Sequence, residues 1–119
     1  MSNGRIVVVN ENQLIADYCE AASGTADHNP KNANRWHDKM HACYKVLRQS
    51  EAGRKLITSQ LSHEDPYVRG WAAAHSLQWA PEAARGVLEA LQGSSDWRLV
   101  VDAEMTLREY DKGRLSFDY

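Results

Sequence analysis

The stretch that decides the fold is DPYVRGWAAAHSLQWAP, residues 65–81. On a helix with about 100° per residue, Val68 and Trp71 lie on one side of this stretch, and Ala73 and Leu77 lie on the other. A helix that is apolar on two opposite sides is covered by protein on both of them. The pattern therefore predicts a helix over residues 66–79 that lies between neighbouring helices, in the middle of a small all-α domain.

Proline and polar capping residues mark where the helices begin. Proline suits the first position of a helix because it has no N–H to leave unpaired and its φ is already helical; the chain has Pro30, Pro66 and Pro81. Side-chain oxygens that can accept the free N–H groups of a first turn are present at Asn10, Asn29, Ser50, Asp65 and Ser95. Together with apolar residues that recur three and four positions apart, these signals predict helices over residues 11–23, 30–49, 51–61, 66–79, 82–92 and 96–111.

An internal similarity suggests how the last three helices are arranged. The spacing Ala73-x-x-x-Leu77 recurs as Ala103-x-x-x-Leu107, and a short helix separates the two copies. Alternating helices of this kind are typical of helical-hairpin repeats. Two copies alone favour such a fold without establishing it.

The same region resembles known helical proteins. The stretch HEDPYVRGWAAAHSL resembles the first helix of a HEAT repeat, with its acidic-Pro turn and its Ala and Leu core positions. The chain more specifically resembles a family of small bacterial proteins called domain of unknown function 2019, through NANRWHDKMHACYKVLR, LSHEDPYVRGWAAAHSL, APEAARGVLEAL and AEMTLREYDKG. The resemblance extends from about Leu14 to Leu115 and implies a compact HEAT-like right-handed stack of about six helices. By analogy with other small HEAT-like bacterial proteins, it also suggests an immunity role in a toxin system.

Length and composition are those of one soluble domain over residues 1–119, in which residues 1–10 are expected to be disordered or extended. No apolar run approaches the roughly 20 residues that span a bilayer, and Ile6–Val9 is too short for a signal peptide, so we expect a cytoplasmic protein. Cys19 and Cys43 are accordingly expected to be reduced core residues. No cofactor is indicated.

Charge is divided unequally between the two halves of the chain. Residues 1–60 carry 8 Lys and Arg against 6 Asp and Glu, whereas residues 61–119 carry 6 against 10. An acidic second half argues against nucleic-acid binding, which needs clustered cations, and it favours a basic protein partner. Tryptophans at helix edges can anchor such an interface, so the predicted partner-binding residues are Trp79, Glu82, Arg85, Glu89, Trp97, Asp102 and Glu104.

The stretch HDKMH, residues 37–41, is the part of the chain that most resembles a catalytic motif. His37 and His41 are four residues apart and can face the same side of a helix, as in zinc sites. However, the general-base glutamate of that motif is absent, and no third ligand is evident. The His37-Asp38 pair also resembles an HD-type phosphohydrolase, for which His28 is a weak further candidate. We therefore interpret these residues as the polar flank of a helix and keep a His37, Asp38 and His41 metal site as a weak alternative.

Two further expectations complete the sequence-based interpretation. His75 lies among apolar residues and is expected to be buried, with a hydrogen bond to a nearby carbonyl.

The favoured function is a non-enzymatic protein-binding module, monomeric or weakly homodimeric. In its most concrete form, this is an immunity-type inhibitor that masks a basic toxin or nuclease surface with its acidic half. The alternatives are a metal-dependent hydrolase at His37, Asp38 and His41, or a homodimeric scaffold that packs through Trp79 or the final RLSFDY.

Overall fold

The computed structural model describes residues 10–119. Helices are the only regular secondary structure within them. The helices are α1 (Glu11–Gly24), α2 (Pro30–Leu47), α3 (Glu51–Ser59), α4 (Pro66–Ser76), α5 (Pro81–Leu91) and α6 (Trp97–Asp111), and a 3₁₀ turn, Gln60–Ser62, follows α3. The predicted all-α class is confirmed. The expectation for residues 1–10 falls, except for Asn10, outside the described residues.

Capping explains where the helices begin. Proline is the first residue of three of them, as predicted, and side-chain oxygens accept backbone N–H groups at Asn10, Asn29, Ser50 and Asp65. The prediction for α6 was wrong by one residue, because Asp96 and not Ser95 caps it and accepts from the Arg98 N–H at 3.0 Å. A carboxylate near the positive end of a helix is stabilised by the helix dipole as well as by the hydrogen bond.

The predicted ends of four helices were too late, that of α5 by one residue. α2 ends at Leu47 and α3 tightens into its 3₁₀ turn after Ser59. α4 ends at Ser76, three residues before the predicted end, and a turn follows in which the Ala80 N–H donates to the Ser76 carbonyl at 2.7 Å. Pro81 keeps α4 and α5 apart, because the residue before a proline is restricted away from helical geometry and Ala80 has a φ of −140°.

The core has two parts, and α4 belongs to both. Buried residues of α1, α2, α3 and α4 form the first core cluster, to which α4 contributes Val68, Ala72 and Ala74. Buried residues of α4, α5 and α6 form the second core cluster, to which α4 contributes Ala73 and Leu77. The prediction that α4 is covered on both sides is therefore confirmed.

α1 and α2 come into close contact at Gly24. The indole of Trp36 occupies the space that a side chain at Gly24 would need. Trp36 also packs against the first core cluster.

After α6 the chain reverses and returns across the domain. Gly113 has a φ of 70°, its N–H donates to the Tyr110 carbonyl, and the Arg114 N–H donates to the Glu109 carbonyl, both at 2.9 Å. These bonds form a Schellman motif, which uses glycine because a left-handed residue without a Cβ is unstrained. The segment that follows, residues 114–119, is called the C-terminal segment below.

Candidate functional site

The C-terminal segment covers the two histidines of α2. The rings of His37 and His41 stack with their centroids 5.9 Å apart, and the Tyr119 ring stacks on His41 at 4.2 Å. His41 Nε2 lies 2.6 Å from the backbone oxygen of Tyr119, and His37 Nε2 lies 3.1 Å from the Tyr119 hydroxyl. Since a carbonyl oxygen only accepts, His41 Nε2 carries the proton and donates it.

This geometry determines what the HDKMH stretch can do. The two Nε2 atoms, each at one of the two ring positions through which a histidine can bind a metal, are both bonded to Tyr119. Asp38 is exposed and lies 3.6 Å from the other ring nitrogen of His37, and His28 is exposed in the loop before α2. Across residues 10–119, the His, Cys, Asp and Glu side chains form no group of three or more that could hold a metal ion.

His75 is completely buried beneath the C-terminal segment. Its ring stacks on Tyr44 at 3.9 Å and meets the edge of Phe117 at 4.7 Å. The predicted carbonyl partner was wrong, because His75 Nδ1 bonds instead with the Tyr18 hydroxyl, at 2.7 Å. The sequence could not show this, since Tyr18 and His75 are 57 residues apart. A nitrogen this deeply buried cannot reach a substrate.

The protonation state of His75 follows from its partners. If the Tyr18 hydroxyl donates to Nδ1, one N–H, at Nε2, has no acceptor among the described residues. If Nδ1–H donates instead, both the hydroxyl proton and the Nε2 lone pair lack partners, so the first arrangement is favoured. Burial lowers the pKa of His75 well below its ordinary value of 6.5, and the nearby His41, His37 and Arg48 lower it further. The imidazole is therefore neutral at neutral pH.

Polar contacts join the C-terminal segment to the end of α2, and join α2 to the end of α4. One nitrogen of Arg48 donates to the Asp118 carboxylate at 2.9 Å and to the Tyr44 hydroxyl at 3.2 Å. The Gln78 side-chain amide also donates to the Tyr44 hydroxyl, at 2.7 Å. We call seven of the ring side chains in this region the histidine cluster: Tyr18, His37, His41, Tyr44, His75, Phe117 and Tyr119.

A different surface is left open along α6. Trp97, Val101 and Met105 are 71%, 38% and 54% exposed, and their four-residue spacing aligns them on one side of the helix. Eight residues of helix span about 12 Å. We call this row the α6 stripe. Of its three members, the sequence interpretation had selected only Trp97, although the i, i+4, i+8 spacing of the other two was visible.

A cleft with a volume of about 290 Å³ adjoins the α6 stripe. Its walls come from α4, α5, α6 and the C-terminal segment, and are largely apolar: Tyr67, Gly70, Trp71, Ala74, Leu88, Leu91, Leu99, Asp102, Ala103, Met105, Thr106, Leu115 and Phe117. Met105 belongs to both the stripe and the cleft. Asp102 is the only carboxylate in the walls, and burial beside the cleft raises its pKa above the ordinary value despite an opposing effect of Arg98.

The structure places the seven predicted partner-binding residues in different surroundings. Trp97, Asp102 and Glu104 are exposed on α6, and Glu82 and Glu89 are exposed on α5. Arg85 is not a free cation, because it bonds to Asp111 of α6. Trp79 is half-buried, and its indole N–H donates to the Thr58 hydroxyl at 2.8 Å. The edge position of Trp79 is thus used for packing against α3, and of the seven residues Asp102 alone lines the cleft.

The two cysteines are free thiols on α1 and α2, with Cys43 buried and Cys19 half-buried. Burial raises the pKa of the Cys19 thiol to about 11, and it also raises the pKa of Cys43. Thiols with raised pKa values are weak nucleophiles, because the thiolate is the reactive form.

Fold and surface together define a small all-α domain with an open apolar helix face beside a cleft. The chain belongs to the family described as Domain of unknown function (DUF2019), whose model matches residues 12–111. The family resemblance seen in the sequence is thereby confirmed. Searches of curated proteins and of solved structures found no match. None of the helices in residues 10–119 has the length and apolar character that crossing a membrane requires.

Proposed function

We propose that this chain is a non-enzymatic protein-binding module whose contact surface is the α6 stripe with the adjoining cleft. In its concrete form, the proposal is an immunity-type inhibitor that masks a basic surface of a toxin or nuclease in the bacterial cytoplasm. The observation that carries the proposal is the α6 stripe itself, with a tryptophan 71% exposed at its start. Exposed apolar rows beside a concave surface are typical of sites that bind other proteins.

The charges near the stripe support a basic partner. Asp102 and Glu104 are exposed on the same helix, and Glu82 and Glu89 are exposed on α5. Acidic side chains around an apolar centre accelerate encounter with a cationic surface and help to exclude the wrong partners. Apolar contact at the stripe would then supply most of the affinity.

The proposal includes a HEAT-like right-handed stacking of the helices. In support of it, α4, α5 and α6 follow one another in the chain, and α4 packs against both of the others. Helical-hairpin stacks commonly bind partners through extended surfaces of this kind. The fold alone does not determine function, so the proposal rests on the surface.

The two alternatives are weaker on physical grounds. A hydrolase built on His37, Asp38 and His41 has both Nε2 atoms already bonded to Tyr119, and within residues 10–119 no three His, Cys, Asp or Glu side chains are grouped as a metal site. A homodimer through the final RLSFDY would use a segment in which Phe117 is already buried in the same chain. Neither alternative has an observation in its favour comparable to the α6 stripe.

The experiment compares two valines of equal exposure. Val101 on α6 and Val46 on α2 are each 38% exposed, so Val101→Lys and Val46→Lys make the same change at matched positions. The full chain and both variants are tested for co-purification with the product of the neighbouring gene, and affinities are measured for the captured complex. We expect Val101→Lys to weaken binding by at least about tenfold, and Val46→Lys to change it by less than about twofold. Equal affinities for the two variants, or the absence of any captured partner, would contradict the proposal.

A further inference from the structure

The cleft has one feature that restricts what can enter it. Its walls are apolar on every contributing helix, yet Asp102 places a carboxylate at the rim, within one helical turn of Met105 and Thr106. Within residues 10–119, no Lys, Arg or His nitrogen lies within 4.0 Å of the Asp102 carboxylate. A ligand that seals this cleft would remove water from an unpaired carboxylate.

The nearest cation does not serve as the partner of Asp102. Arg98 donates to the Ala26 carbonyl at 3.0 Å and lies over the Tyr67 ring, and its Nε is 4.0 Å from Asp96. These contacts hold the guanidinium at the start of α6. Removing water from a carboxylate without supplying a cation is strongly unfavourable, so an occupant of the cleft has to bring the cation with it.

From this geometry we propose that the cleft receives a large apolar side chain from an amphipathic helix of the partner, while a Lys or Arg of that same helix pairs with Asp102. The inference rests on the proposed function and specifies its partner. The α6 stripe is about two helical turns long, which fits the i, i+4, i+7 anchors of a helix lying along it. One of those anchors enters the cleft beside Met105, and the others contact Val101 and Trp97.

The remaining charges of α6 fix where the partner's cation lies. Glu104 lies on the opposite flank of the stripe from Asp102 and favours a cation there too. Arg108 is exposed beyond the C-terminal end of the stripe and would repel a cation placed near it. The basic residues of the bound helix are therefore expected beside the centre of the stripe, at the level of Asp102 and Glu104.

A second copy of this chain fits the surface less well. A symmetric dimer through the α6 stripe would bring Asp102 and Glu104 of one copy towards the same residues of the other. Like charges brought together across an interface oppose association. The charge pattern therefore favours a basic helix from a different protein.

Two designed amphipathic peptides of about 14 residues test this inference on the full chain. Both place Leu at the same positions; one has Lys and the other Glu at all remaining positions. Affinities are measured by calorimetry, and the binding site is mapped by NMR through the indole signal of Trp97 and the backbone signals of α6. We expect the Leu/Lys peptide to bind at the α6 stripe at least about tenfold more tightly than the Leu/Glu peptide.

Three variants test whether the Leu/Lys peptide pairs specifically with Asp102 or is attracted to the acidic protein in general. Asp102→Asn should weaken Leu/Lys binding about fivefold or more, whereas Glu20→Gln, which makes the same change in net charge at an exposed position of α1, should alter it by less than about twofold. Asp102→Lys should reverse the preference and favour the Leu/Glu peptide. The inference is overturned if neither peptide binds, if the signals map away from α6, or if the two neutralising variants have equal effects.

Failure of this inference can be distinguished from failure of the proposed function. If the two peptides bind α6 equally and Val101→Lys still blocks capture of the natural partner, the surface binds protein but does not select a basic helix. If Val101→Lys has no effect on capture, the proposed function fails whatever the peptides do.

Discussion

The histidine cluster and the α6 stripe are opposites in sequence and in structure. The histidine cluster contains the residues whose types suggest chemistry, yet its hydrogen bonds and ring stacking hold the C-terminal segment against α2 and α4. The α6 stripe contains only Trp97, Val101 and Met105, yet it is the apolar row that the fold leaves uncovered. The difference shows that residue type identifies a candidate site less reliably than whether the fold has already used the side chain.

Physical chemistry explains both why the histidine cluster is buried and hydrogen-bonded and why the α6 stripe remains exposed. A buried imidazole is retained when another polar group satisfies it, as the Tyr18 hydroxyl does for His75. An exposed tryptophan contributes little to the stability of its own domain and is available to a partner. Changes in the histidine cluster should therefore alter folding, and changes in the α6 stripe should alter binding.

The largest expected effect is at the residue that anchors the C-terminal segment. Phe117→Ala should lower the free energy of unfolding by about 3 kcal/mol, because it leaves a cavity beside the stacked rings of Tyr44 and His75. Denaturant unfolding measures this, with Met105→Ala as the exposed control. A loss below about 1 kcal/mol for Phe117→Ala would show that the segment contributes little to the fold.

The next effect concerns the buried hydrogen bond between Tyr18 and His75. Tyr18→Phe removes the hydroxyl that satisfies His75 Nδ1 and should lower the free energy of unfolding by about 1–3 kcal/mol, since it leaves a buried acceptor unpaired. Tyr110→Phe, at a half-buried tyrosine against the second core cluster, is the control and should change stability by less than about 0.5 kcal/mol. Equal losses in the two variants would argue against the assigned bond.

The third effect is a dependence of stability on pH. The pKa of His75 is lowered in the folded protein, so below pH 6.5 the unfolded chain binds a proton that the folded chain does not. Stability should therefore fall as the pH decreases from 6.5 towards the folded pKa, with a slope of up to about 1.4 kcal/mol per pH unit from this group. The double variant Tyr18→Phe with His75→Phe should lack that part of the slope while retaining the contributions of the other groups. Identical slopes for the two proteins between pH 6.5 and 5 would mean that His75 titrates normally.

The smallest expected effect on stability is in the α6 stripe. Trp97→Ala should change the free energy of unfolding by less than about 0.5 kcal/mol, although tryptophan is the largest side chain, because most of its surface is already in water. Thermal and denaturant unfolding both measure it. A loss of more than about 1 kcal/mol would show that Trp97 packs within the domain and is not a free contact.

The sequence was informative wherever local chemistry decides structure. Prolines, caps and apolar spacing located all six helices of residues 10–119, and the two apolar sides of α4 predicted its central position. The end of α4 was missed because the apolar pattern continues to Trp79, whereas the chain already forms a turn after Ser76.

Contacts between distant parts of the chain could not be inferred in the same way. Nothing local indicates that Tyr18 pairs with His75, or that Tyr119 covers His37 and His41. The alternation of Leu115, Phe117 and Tyr119 was an available signal, since every second residue of an extended segment faces the same side. Using it would have required knowing that Gly113 turns the chain back over the domain.

The most direct test of the central claim is amide hydrogen exchange on the full chain, alone and in complex with the partner captured in the co-purification experiment. We expect binding to slow exchange in α6, from Trp97 to Thr106, and to leave residues 37–41 unchanged. Protection concentrated at residues 37–41, with α6 unaffected, would contradict this claim and would assign the binding site to the histidine cluster.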